Sequence, residues 1–124
     1  MAISFFHQDS PDLMMPIISQ DARLIVWPGV GAQNANMNYV VLEAGEKNVP
    51  HTHEESEDSI FCLEGRGTVS DRSNDVMLEF EAGQVIHVPA GIEHTVMADR
   101  GERIVSVGGP CPPDKNLLRI LGVE

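Results

Sequence analysis

Apolar residues in this chain fall in short runs rich in β-branched and aromatic side chains, almost nowhere in the 3.6-residue period of a helix. The runs are "RLIVWPG", "NMNYVVLEAG", "DSIFCLEG", "GTVSD", "VMLEFEAG", "QVIHVPAG", "EHTVMAD" and "ERIVSVGG", separated by Gly, Pro, Asn and Asp. Strand-length segments at this spacing predict an all-β sandwich or barrel. "RSND" and "DRG" stand where hairpin turns would be needed. The tail differs: Asp114 can cap a short helix carrying Leu117, Leu118, Ile120 and Leu121, with Gly122 as its stop. That helix is expected to pack across the sheet or a partner subunit. With no repeat, low-complexity tract or linker, residues 1–124 read as one domain.

Composition narrows the function. Eight basic residues against nineteen acidic ones give a formal net charge of −11, a field that repels phosphate backbones and anionic lipid. Nucleic acid and membrane surfaces are therefore not expected partners, and no apolar run is long enough to cross a bilayer. The N-terminal stretch lacks a basic leader region and carries acids early, so it does not read as a signal peptide. Cys62 and Cys111 are too few for a disulfide framework and lie in no CxxC, which fits a reduced, cytoplasmic chain.

The chemistry concentrates in "VPHTHEESEDSIFCLEGRG", residues 49 to 67. His51 and His53 are two apart, and in an extended segment that spacing points both imidazoles to one face. Such a pair with one carboxylate makes a site for iron, manganese, nickel, copper or zinc. Further on, "GQVIHVPAGIEHTVMA" places "PAG" between two strands, a turn that can carry the first inward side chain of the second strand, His94, over a barrel mouth. Gly45-x5-His51-x-His53, an acid and Gly65 resemble the first motif of the cupin superfamily. Gly83-x5-Pro89-x-Gly91-x2-His94 resembles the second, and the stretch from Gly65 to Gly83 suits two small strands. The motifs span residues 45–65 and 83–98, and the remaining strands are consistent with a small single-domain cupin. The resemblance implies a double-stranded β-helix, or jelly-roll barrel, holding one divalent transition metal per chain (Fe, Mn, Ni, Zn or Cu). It also implies that His51, His53 and His94 are the imidazole ligands.

The carboxylate ligand departs from the family pattern. Counting forward from His53 selects Glu57, whereas counting back from Gly65 selects Asp58. Strand alternation leans to Asp58, with Ile60 and Cys62 following it inward, but its side chain is the shorter, and a bulge could serve either acid. Both remain candidates, and only one is expected to bind. Ala98 stands where the second motif usually carries asparagine, removing a polar contact but no ligand.

The other candidates read more plainly. His87 is a strand histidine, packed or partly exposed, and His7 is solvated. Cys62 is a small buried residue. Trp27, Asn36, Asn38 and Tyr39 serve packing or the barrel wall, and Glu54 and Glu55 form a solvated turn. No Ser-His-Asp order, phosphate-cradling loop or dinucleotide fingerprint is present.

The expected function is a small metal-dependent enzyme acting on an oxygen-bearing small molecule, with dioxygenation the first class to test. The resemblance also allows isomerisation, decarboxylation, lyase chemistry or polyketide-type cyclisation, and a non-catalytic ligand-binding module is the rival. No catalytic side chain is singled out. The resemblance further implies a homodimer, to which the tail helix and "PDLMMPIISQ" would contribute.

Overall fold

The computed structural model describes residues 2–123, which contain nine strands, a short 3-10 turn (Pro28–Val30) and one α-helix. β1 (Leu13–Met14), β2 (Asp21–Val26), β3 (Met37–Leu42), β9 (Ile104–Cys111), β4 (Glu57–Glu64) and β7 (Val85–Val88) form one antiparallel sheet, with strand order β1-β2-β3-β9-β4-β7. β6 (Val76–Glu81), β5 (Arg66–Asp71) and β8 (His94–Ala98) form a second, facing sheet, so the chain is a jelly-roll double-stranded β-helix. The eight expected strands are all present. β1 is an addition: two residues paired to Leu24 and Arg23 are too short to leave a periodic signal.

"RSND" forms the β5–β6 hairpin as expected, with Asp71 opposite Val76 and the Asp71 carboxylate accepting from the Asn74 backbone N–H at 2.9 Å. "DRG" does not form a hairpin. β8 pairs with β5, while β9 lies between β3 and β4, so the chain crosses between sheets at this turn. A turn signal reports that the chain reverses, and says nothing about which strand receives the next one.

Two apolar clusters fill the interior. Leu42, Cys62, Val69, Phe80, Val96, Ala98 and Ile104 pack between the sheets, and Ala98 is thus a core residue. Met15, Ala22, Leu24 and Leu118 form the second cluster, with Leu117 and Leu121 packed against it. Leu118 comes from α1 (Lys115–Ile120), whose N-cap is Asp114 and whose chain leaves through Gly122 at φ +78°. The tail helix therefore covers β1 and β2 of its own chain, while Ile120 is exposed. No helix among the described residues is long and apolar enough to cross a membrane.

Candidate metal centre

Two segments far apart in sequence are sewn together at His51 and His94. After β3 the chain runs beside β8: the Asn48 N–H donates to the Val96 carbonyl at 3.1 Å, and the Asn48 side-chain oxygen accepts from the Val96 N–H at 2.9 Å. His51 and His94 then exchange both backbone hydrogen bonds at 3.0 Å each, so they stand directly opposite with rings 4.3 Å apart. Two residues on, the His53 carbonyl accepts from the Gly91 N–H at 2.9 Å, which ties the "PAG" turn to the same site.

β4 supplies the acid. Asp58 and Cys62 are buried and Ile60 partly so, whereas Glu57, Ser59, Phe61 and Leu63 are exposed, as a period of two requires. Asp58 Oδ2 lies 3.3 Å from His53 Nε2 and 3.7 Å from His94 Nε2. One ligand atom from each of His51, His53, Asp58 and His94 falls within 4.8 Å of the others. Glu57 is outside this group: its carboxylate meets His87 Nε2 at 3.2 Å on the outer face, where Ser59 Oγ touches His87 Nδ1 at 2.9 Å. Glu54 and Glu55 are exposed, as is His7, which pairs with Asp9. Cys62 is buried in the core, Cys111 is exposed, and both are free thiols.

Each imidazole has its Nδ1 occupied. His51 Nδ1 meets the Val49 carbonyl at 2.8 Å and His94 Nδ1 meets the Ile92 carbonyl at 2.9 Å. His53 Nδ1 lies 2.6 Å from Asp114 Oδ2. Carbonyl and carboxylate oxygens only accept, so Nδ1 carries the proton in all three rings, and Nε2 is the nitrogen available to a metal. Asp114 is the functional residue that sequence reasoning missed. Its capping role was legible, but nothing in the sequence ties it to a histidine 61 residues away.

Without a metal the acids and imidazoles hold one another. Burial disfavours the His53 imidazolium, but Asp114 and Asp58 outweigh it and lift its pKa to about 9. Burial likewise works against the Asp58 carboxylate, but contacts with His53 and His94 hold its pKa down at about 2. Burial pushes His51 below its ordinary value, and the Val49 carbonyl offsets this only in part.

These shifts set the pH response of the metal-free protein. A raised His53 contributes stability that is complete below its unfolded value of 6.5 and lost as pH climbs through about 9. A depressed Asp58 contributes stability that is complete above 3.8 and lost as pH falls through about 2. His51, held below its ordinary 6.5, works the other way and loses stability as pH falls under that value, so metal-free thermal stability should be highest near pH 6.5, with a fall on the alkaline side on the order of 3 kcal/mol. Melting curves across pH in a chelator check this, and an Asp58→Asn, Asp114→Asn double variant that keeps the alkaline fall would refute the assignment.

The cluster opens into a cavity of about 50 Å³ with largely apolar walls that include Val40, Leu42, Ile60 and Ile86. Asn38 and Ser106 are polar members of the wall, and Ile18 and Leu117 border it. Trp27 packs against the second apolar cluster, and Tyr39 lies under the Arg23 guanidinium at 4.8 Å.

A family model described as the cupin domain matches residues 38–107, more than half of the chain. No curated protein matches the sequence. Among solved structures, the polyketide cyclase RemF from Streptomyces resistomycificus is similar at 20% identity and a TM-score of 0.72, over 90% of this chain and 83% of that one. KdgF from a Halomonas species is similar at 17% identity and a TM-score of 0.72, over 94% and 100% of the two chains. An RmlC-like cupin family protein with a double-stranded β-helix fold, from Methanocaldococcus jannaschii, is similar at 16% identity and a TM-score of 0.70, over 94% and 97%. At these identities the likeness is one of fold.

Proposed function

The chain belongs to the cupin family, and on that premise we propose that it is a metal-dependent enzyme acting on a small oxygen-bearing molecule. One observation carries the metal. Asp58 Oδ1 is buried with no hydrogen-bond partner among the described residues, and the equally buried His53 Nε2 and His94 Nε2 meet only the long contacts to Asp58 Oδ2, at 3.3 and 3.7 Å. Each such atom costs about 1–3 kcal/mol if left alone. A divalent cation held by His51, His53, Asp58 and His94 would satisfy them together, and three imidazoles with one carboxylate suit iron, manganese, nickel, copper or zinc.

A metal bound there supplies Lewis-acid polarisation of a chelating oxygen or, if it is iron, oxygen-activating chemistry. The chain's own residues do the rest. The Val49 and Ile92 carbonyls fix the rings of His51 and His94, and Asp58 offsets part of the cation's charge. The apolar walls exclude water and strengthen every electrostatic contact inside. No lysine or arginine lines the cavity, which favours a neutral or singly charged substrate over a phosphorylated one. Its size admits roughly three or four water-sized groups, so the substrate is small or enters by a fragment.

Dioxygenation is the first reaction class to test. Isomerisation, decarboxylation, elimination or cyclisation at the same centre is the second reading, and the fold likeness to a polyketide cyclase supports including cyclisation.

Elemental analysis of untagged protein, before and after reconstitution, tests the reading. Stoichiometric iron is expected if the reaction uses oxygen, and substrate-dependent oxygen uptake should follow. Stoichiometric zinc, manganese or nickel would move the assignment to Lewis-acid chemistry. No uptake of any of these metals would leave a ligand-binding barrel and sink the enzyme reading.

A further inference from the structure

His53 differs from the other two histidines in how its ring is held. The partners of His51 and His94 are backbone carbonyls two residues before each ring, so the local chain orients them. The partner of His53 is a charged side chain 61 residues away, Asp114, at 2.6 Å. Asp114 also has a second task at the same carboxyl group. Its Oδ1 accepts from the Asn116 N–H at 3.0 Å and the Leu117 N–H at 3.2 Å, capping α1. A cap needs only one oxygen, and the other could face water; here it is turned inward against a ring that is itself buried.

The surroundings reinforce this junction. Ser56 Oγ donates to the Pro112 carbonyl at 2.6 Å, tying the segment that leads into α1 to the loop between His53 and β4. On the far side of Asp114, Leu117 borders the cavity while Leu118 enters the second apolar cluster. The helix is thus a wall of the cavity, and its first turn is fastened to a candidate ligand.

We propose that Asp114 is a positioning residue that sets the His53 ring for metal. This rests on the reading of His51, His53, Asp58 and His94 as ligands. A carboxylate on Nδ1 aims Nε2 and raises its basicity, and such partners typically contribute 10- to 100-fold in metal affinity.

The test compares Asp114→Ser, Asp114→Asn and Leu118→Ala with wild type, all full-length and metal-free at the start. Serine caps a helix about as well as aspartate but is too short to reach His53. Asparagine keeps the shape without the charge but has a single acceptor oxygen, so it can accept from the His53 Nδ1–H or cap the helix, not both. Leu118→Ala loosens the helix and leaves the carboxylate in place. Three quantities are read: protection of the Asn116 and Leu117 amides, the downfield, exchange-protected Nδ1 proton of His53, and affinity for Co²⁺ by optical titration.

Asp114→Ser should keep the helix amides, lose the His53 ring proton and bind Co²⁺ about 10- to 100-fold more weakly. Asp114→Asn should trade one task for the other, so that any recovered affinity comes with lost protection of the Asn116 and Leu117 amides. Leu118→Ala should melt earlier yet bind Co²⁺ close to the wild-type affinity. Wild-type affinity in Asp114→Ser, or equal weakening in Leu118→Ala, overturns the proposal. Failure of wild type itself to bind Co²⁺ sinks the metal reading instead. The ring proton then decides alone, and its persistence in Asp114→Ser overturns the positioning role.

Discussion

The Asp58→Asn protein is expected to carry no stoichiometric metal, while Glu57→Gln, altered one residue earlier, carries the wild-type amount. β4 presents alternate residues to opposite faces, so these neighbours live in different environments. Asp58 is 5% exposed and lies within 3.7 Å of two imidazole nitrogens. Glu57 lies outside the barrel against His87. Asparagine preserves the shape of Asp58 but removes its charge, so the change isolates the ligand role from packing. A weakening of more than about 100-fold is expected, exceeding what a hydrogen-bond partner behind a ligand contributes. Elemental analysis followed by competitive titration against a chelator reads it. Equal metal content in the two variants, or loss in Glu57→Gln alone, would refute the assignment of Asp58.

A second large effect is expected at a residue with no side chain in the wall of the same cavity. Gly108→Ala should cost more than about 3 kcal/mol and take the metal centre with it. Gly108 lies in β9, paired with Asn38 on one side and Ile60 on the other, at φ +146°. A Cβ there would press into the Ser59 carbonyl, 2.9 Å from its carbon, and stand 3.0 Å from the Ile60 Cα. Those atoms are backbone at the middle of a sheet, so relief requires moving β4, the strand that carries Asp58. Gly83→Ala is the control: its φ of +93° is also one that L side chains rarely adopt, but nothing lies within 4 Å of the added carbon. It should cost about 1–2 kcal/mol, the conformational penalty alone. Urea unfolding of both variants decides, and a Gly108→Ala loss no larger than that of Gly83→Ala would sink the steric argument.

By itself the sequence determined what local rules control. Period-two apolar runs and turn residues marked eight strands, because pleat and reversal are properties of a few neighbouring residues. The spacing of His51, His53 and His94 carried the family resemblance, and Asp114 announced a helix. Tertiary structure decided what depends on closure of the barrel. It chose which strand follows the "DRG" turn, since sheet membership is settled by pairing partners tens of residues away. It separated Asp58 from Glu57, because β4 pairs in regular register with β7 and β9 from Asp58 to Phe61, and its irregularity falls later, between Cys62 and Glu64. It also brought Asp114 to His53. A cap residue is legible from its own helix, but a carboxylate reaching an imidazole across the barrel mouth exists only once both sheets and the tail have packed.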